Sequence, residues 1–166
     1  YDKALDDFEK ALSLNPQSGR AYAFRAYLWQ KLGSEPKALD DYSNAIKWEP
    51  TYSGVYYNRA LIHSDMKNYY AAIEDYSTAI EVITLGDCFG ACPPLAPYYS
   101  NRGASYLILA WDGATTFYAN AISDFTKAIE IDPNHRRAYQ NRGYAYTGIG
   151  DYAKAMRDEE KARSLE

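Results

Sequence analysis

A period of 34 residues constrains this chain more than any other feature. Pro16 and Pro50, Tyr22 and Tyr56, Arg25 and Arg59, and Asp41 and Asp75 are each 34 positions apart, and Asp124 to Asp158 repeats the interval. The octapeptide YSNRGASY at 99–106 returns as YQNRGYAY at 139–146. A catalytic motif has little reason to occur twice, whereas a packing unit does. A repeat of this length is one supersecondary unit that cannot bury its apolar face alone, so neighbouring units must stack. The interval widens to 43 between Tyr56 and Tyr99 and to 40 between Tyr99 and Tyr139, which marks insertions of 9 and 6 residues.

Within each period two segments carry apolar residues at helical spacing, as in GRAYAFRAYLWQKLG followed by SEPKALDDYSNAIKWEP. Turn residues separate them, so each unit reads as a helix pair. Gly33, Gly150 and the Lys67-Asn68 pair close first helices. Ser34, Asn68 and Asp151 are suited to cap the second ones, and Pro36 suits a first helical turn, where its missing N–H is no loss. Pro16, Pro50 and Pro133 close second helices. Small residues recur where helices must approach closely: Ala26, Ala60, Gly103 and Gly143 in first helices, and Ala38, Ala72, Ala121 and Ala155 in second helices. Phe8, Tyr42, Tyr76 and Phe125 are expected to fill the larger gaps between units.

The period, the aromatic-rich first helix, the small residues and the closing proline resemble the tetratricopeptide repeat family. The resemblance implies an all-α fold, a right-handed superhelical solenoid of helix pairs. It divides the chain into a truncated repeat that contributes only its second helix (1–18), repeat 1 (19–52), repeat 2 (53–84) and a cysteine-containing insertion (85–95). Repeat 3 (96–135) has a lengthened internal turn near WDGATTF, with Thr115 or Thr116 as a cap, and repeat 4 is 136–166. The helix of repeat 2 is expected to run past Thr84 and stop near Gly86.

Two charged columns rise together. Arg25, Arg59, Arg102 and Arg142 form one, and Asp7, Asp41, Asp75, Asp124 and Asp158 the other. Asp7 to Arg25, Asp41 to Arg59 and Asp124 to Arg142 are each 18 residues apart. That spacing suggests that an aspartate on one second helix meets the arginine of the following first helix, a bidentate pair that would fix register between repeats. The ladder reads as architecture, because partly buried charges need partners.

Asn58, Asn101 and Asn141 precede those arginines, about 100° around the helix from them, with Phe24 in the same place in repeat 1. In tetratricopeptide repeats the first helices line a concave groove, and the resemblance implies that these asparagines bond the backbone of a bound peptide. An amide offers donor and acceptor together. Tyr27, Tyr57, Arg137 and Tyr144 fall on the same implied face, with tyrosines as anchors, while Tyr22, Tyr56, Tyr99 and Tyr139 read as core. A subfamily clamps the C-terminal carboxylate of heat-shock chaperones with Lys, Asn, Asn, Lys and Arg. Here Asn101 and Arg137 match only its later part, and Tyr57, Leu61 and Asn141 stand where other clamp residues would be.

The chain is therefore expected to be a non-catalytic scaffold or adaptor that binds a peptide or helix of a partner protein. Architectural self-association and carboxylate-binding co-chaperone function are the alternatives. There is no nucleophile–base constellation and no Gly-rich phosphate loop. Cys88 and Cys92 stand as C-x3-C in the first insertion, open to a disulfide, half a metal site or two free thiols. With only His63 and His135 besides, a four-ligand zinc set is lacking, and no metal or cofactor is expected. A net charge of −4, with Lys and Arg scattered singly, argues against nucleic acid. No apolar run approaches the roughly 20 residues of a membrane span. The composition suits a soluble protein, cytoplasmic in preference. The polar RDEEKARSLE segment, with Glu159 in the aromatic place, reads as the end of the array. The lone opening helix predicts repeats upstream, or a flank through which two copies pair.

Overall fold

The computed structural model describes residues 1–86 and 93–165. Nine helices run through the described residues: α1 (Asp2–Leu14), α2 (Gly19–Lys31), α3 (Glu35–Trp48), α4 (Ser53–Asp65), α5 (Tyr69–Thr84), α6 (Ala96–Trp111), α7 (Phe117–Ile131), α8 (Arg136–Gly148) and α9 (Tyr152–Arg163). They pair as α2/α3, α4/α5, α6/α7 and α8/α9, and each pair then stacks on the next. First helices touch one another, α2 with α4 and α6 with α8, and no two second helices do so to that extent. The array therefore curls toward its first helices, which line the inner side.

Every first helix ends in the same way. The amide of Ser34 donates to the Trp29 carbonyl (2.8 Å), Asn68 to His63 (2.7 Å), Ala114 to Leu109 (3.0 Å) and Asp151 to Tyr146 (2.9 Å). This six-residue closure requires a left-handed residue just before the donor. Gly33 (φ +71°), Gly113 (φ +108°) and Gly150 (φ +79°) supply it, while in repeat 2 Lys67 (φ +61°) adopts it against its Cβ. Only Asp151 among the expected second-helix caps accepts a backbone N–H, from Lys154 at 3.2 Å. Ser34, Asn68 and Thr116 hold the cap position without a side-chain bond. Helix α5 ends at Thr84, with Gly86 in the left-handed region (φ +75°) two residues beyond.

The core lies between the pairs. Tyr42, Tyr76 and Phe125 are fully buried there, and Ala26, Ala38, Ala60, Ala72 and Ala121 are sealed beside them. Gly103 lets α6 rest on an aromatic ring: a Cβ there would lie 3.0 Å from Phe125 Cε1. Phe8 of α1 stacks on Phe24 of α2, with ring centroids 6.1 Å apart.

Candidate functional site

All four arginines of the column make bidentate bonds, from Nε and Nη2 to the two carboxylate oxygens of one aspartate: Arg25 to Asp41 (2.7 and 2.7 Å), Arg59 to Asp75 (2.8 and 2.6 Å), Arg102 to Asp124 (2.8 and 2.7 Å) and Arg142 to Asp158 (2.7 and 2.8 Å). The pairing corrects the register suggested by the 18-residue spacing, because each arginine meets the aspartate of its own helix pair. Asp7, on α1, is exposed. The physical reason is that an aspartate on a second helix faces the first helix antiparallel to it, while the next unit is reached from a position two residues farther on. There Ser43, Ser77 and Thr126 accept Nη1 of Arg59 (3.1 Å), Arg102 (2.9 Å) and Arg142 (3.0 Å). Each hydroxyl donates its own proton back along its helix, to the carbonyls of Leu39, Ile73 and Ile122 at 2.6–2.7 Å. One guanidinium thus ties its repeat together and binds it to the preceding one. Tyr22, Tyr99 and Tyr139 are half-buried and brace the arginine three residues on, with guanidinium-to-ring distances of 5.5–5.7 Å.

These relay hydroxyls went unnoticed in the sequence, although a signal was present. Asp-aromatic-Ser/Thr recurs as Asp41-Tyr42-Ser43, Asp75-Tyr76-Ser77 and Asp124-Phe125-Thr126.

On the inner side Asn101 is already engaged. Asn101 Nδ2 donates to the Tyr57 hydroxyl (2.9 Å), and Tyr57 packs with its ring 4.4 Å from Tyr98 and 5.7 Å from Tyr76. Tyr42 donates to Gln30 Oε1 (3.1 Å), and burial raises its phenol pKa against the opposing influence of Asn58, which lines the same cleft. Burial likewise pushes the Tyr98 phenol up to about 12. Asn141 is half-buried, and Arg137 stands exposed at the start of α8 beside Pro97 and His135.

Two clefts open beside the remaining tyrosines. Phe24, Tyr27, Tyr42, Tyr52, Val55 and Asn58 line one of about 270 Å³ between α2 and α4. Tyr144, with Tyr152, Met156 and Glu159, lines another of about 340 Å³ on α8 and α9. Phe24 and Tyr27 are 51% and 45% exposed, so the first cleft is a hydrophobic surface with one amide at its edge. Sequence spacing located Tyr27 and Asn58; Tyr52 lies in the connection before α4, outside any helical register. Cys88 and Cys92 lie outside the described residues. Among the described residues no group of three or more His, Cys, Asp or Glu is placed to hold a metal ion, and no helix is long and apolar enough to cross a membrane.

His63, on α4, has its Nδ1 buried without a partner and its Nε2 4.0 Å from Asp75 Oδ2. Burial lowers its pKa from 6.5, against the opposing pull of Asp75. The unfolded chain therefore protonates His63 first. Its contribution to stability is complete above about pH 6.5 and is lost as the pH falls through the lower folded value. Thermal melts at about pH 7.5 and 5.5 should show a larger loss for the native chain than for His63→Gln. Equal losses would count against this assignment.

The helix pairs and their ladder define an all-α helical-repeat solenoid. The chain carries tetratricopeptide repeats: models of the tetratricopeptide repeat match residues 54–83 and 125–157. Over 61 residues, 37% of this chain, it is 39% identical to serine/threonine-protein phosphatase T of Aspergillus oryzae, and the match spans 12% of that protein. It is 40% identical over 68 residues, 41% of this chain, to a DnaJ homolog subfamily C member 7 homolog of Dictyostelium discoideum, again 12% of the relative. The shared stretch is thus a small part of either relative. The solved structure of MamA superposes with a TM-score of 0.83 over 99% of this chain and 87% of that one, at 23% identity, a likeness of fold. The chain is a protein-interaction module of the helical-repeat kind.

Proposed function

We propose that the inner face of the array binds an extended or helical segment of a partner protein, so that the chain acts as a scaffold or adaptor. The observation that carries this reading is the cleft between α2 and α4, where half-exposed Phe24 and Tyr27 stand over Tyr42 and Val55 with Asn58 alongside. Aromatic walls supply contact area, and a few polar groups supply orientation. Of the asparagine column, Asn101 also holds the Tyr57 hydroxyl inside the array, and Asn58 lies beside that of Tyr42. Their replacement would disturb repeat contacts together with any ligand, so Phe24 and Tyr27 give the cleaner test. A Phe24→Ser/Tyr27→Ser chain should keep its melting temperature within a few degrees. In a pull-down from the source lysate it should lose proteins that the native chain retains. Identical captures by the two chains would remove the cleft from the function.

A further inference from the structure

Counting by the repeat places Trp29, His63, Tyr106 and Tyr146 in one column, each four residues after an arginine of the ladder. In a helix that spacing sets the ring on the same side as the guanidinium. Tyr146, for example, lies 5.9 Å from that of Arg142. Trp29, Tyr106 and Tyr146 neither gain nor lose a proton near neutrality, whereas an imidazole does.

His63 stands where that proton matters. Its Nε2 is 4.0 Å from Asp75 Oδ2, the oxygen that accepts Arg59 Nε at 2.8 Å. Nη1 of Arg59 reaches back to Ser43 of α3 at 3.1 Å, which ties repeat 2 to repeat 1. The other ring nitrogen, Nδ1, is buried without a partner. The charges acting on the ring are Asp75, on α5, and Arg59, on α4 itself. Glu74 and the Tyr56 phenol act in turn on Arg59, and α3 meets the pair through the uncharged Ser43 hydroxyl. Burial lowers the His63 pKa, against Asp75 and with Arg59, so the ring is neutral in the fold at pH 7 and protonates below about 6.5. An imidazolium there brings a second cation to one carboxylate. Repelled by Arg59 and drawn to Asp75, it competes for Oδ2.

We propose that His63 makes the joint between repeats 1 and 2 acid-sensitive: a proton taken from solvent turns it toward the Asp75 carboxylate, Arg59 gives up Oδ2 and with it the bond to Ser43, and the α2/α4 cleft loosens its hold on the partner segment. Val55 and Asn58 of α4 form one wall of that cleft and Phe24 and Tyr27 of α2 another, so a shift of α4 against α2/α3 alters its width. The joints made by Arg102 and Arg142 carry Tyr106 and Tyr146 in the same column and keep their register. The last step rests on the cleft being the binding site; the first two stand without it.

NMR of the ligand-free chain tests the first two steps. The Arg59 Nε–H resonance should move with the midpoint of the His63 ring between about pH 7.5 and 5. It should stay in place in His63→Gln and in His63→Tyr, which supplies the residue used in repeats 3 and 4. Over the same range hydrogen exchange, corrected for its intrinsic pH dependence, should speed up about fivefold more in α3 and α4 of the native chain than in either variant, with α8 alike in all three. Asp124, whose carboxyl burial pushes up, is present throughout, so its own titration cancels. For the last step, proteins captured by the native chain and not by Phe24→Ser/Tyr27→Ser are washed at about pH 5.5. They should leave the native chain and stay on His63→Tyr. An Arg59 resonance indifferent to His63, a ring still neutral at about pH 5, or equal exchange in the three chains would overturn the acid-sensitive joint. Equal retention on the native and His63→Tyr chains would overturn the gating of the cleft. Capture of no cleft-dependent protein would remove the groove reading and the gating with it, leaving the joint to be decided by the NMR result.

Discussion

Replacing Arg102 with methionine is expected to destabilise the array by about 3–5 kcal/mol, the usual consequence of removing one partner of a buried ion pair. Arg102 makes two bonds to Asp124 and one to Ser77. Methionine would leave the Asp124 carboxylate, 4% exposed, without its counter-charge. Burial already pushes the Asp124 carboxyl pKa up, with Arg102 opposing that rise. Without the arginine it must rise further. A carboxyl whose folded pKa is raised favours the folded state below the unfolded value and loses that contribution as the pH climbs through the folded one. The deficit of the variant should therefore be largest near neutrality and shrink as the pH is lowered toward about 4. Chemical denaturation at the two pH values measures both statements. The double variant Arg102→Met/Asp124→Leu, with no stranded charge, should recover much of the loss. A single variant as stable as the native chain, or a double variant no better than the single one, would mean that the ladder does not hold the register.

The same substitution removes the bond between repeats 2 and 3. In an array whose units contact only their neighbours, stability is a sum of unit and interface terms, so weakening one interface should broaden or split the unfolding transition. Ser77→Ala, which deletes only the hydroxyl, is the milder version of this cut.

Periodicity made the helix pairs legible because each unit repeats the same burial problem, and the same small and aromatic residues solve it each time. Ala26, Ala60 and Gly103 could be aligned by counting alone. Counting could not decide which aspartate an arginine meets. A second-helix position lies near both its own first helix and the next, and both separations are regular in the uninterrupted repeats. The third repeat, with its lengthened turn, separates Arg102 from its true partner by 22 residues, where the other pairs have 16. The clefts were legible only in part. Tyr27 and Asn58 follow from helical position, whereas Tyr52 comes from a connection and Tyr57 is taken up by Tyr76, Tyr98 and Asn101. Tertiary partners decide whether an aromatic is anchor or brick.

Phe125→Ala should match the arginine substitution in size and differ in kind. The ring is fully buried among Leu107, Ala110, Tyr118, Ala121, Ala128, Ala138 and Ala145. Most of these neighbours are alanines with no further reach, and the α6 backbone at Gly103 already rests on the ring, with no side chain to collapse inward. The cavity would stay open, so the expected loss is about 3–5 kcal/mol, at the upper range for a truncated aromatic. Phe125→Leu, which keeps most of the volume, should lose under about 1.5 kcal/mol. Neither change strands a charge, so neither loss should follow pH as that of Arg102→Met does. Because the ring serves the junction of α6/α7 with α8, hydrogen exchange should accelerate in α6 to α9 while amides of α2 and α3 keep their protection. Equal acceleration in α2 and α3 would make the array a single cooperative block. The nearest-neighbour account of the ladder would then fail together with that of the core.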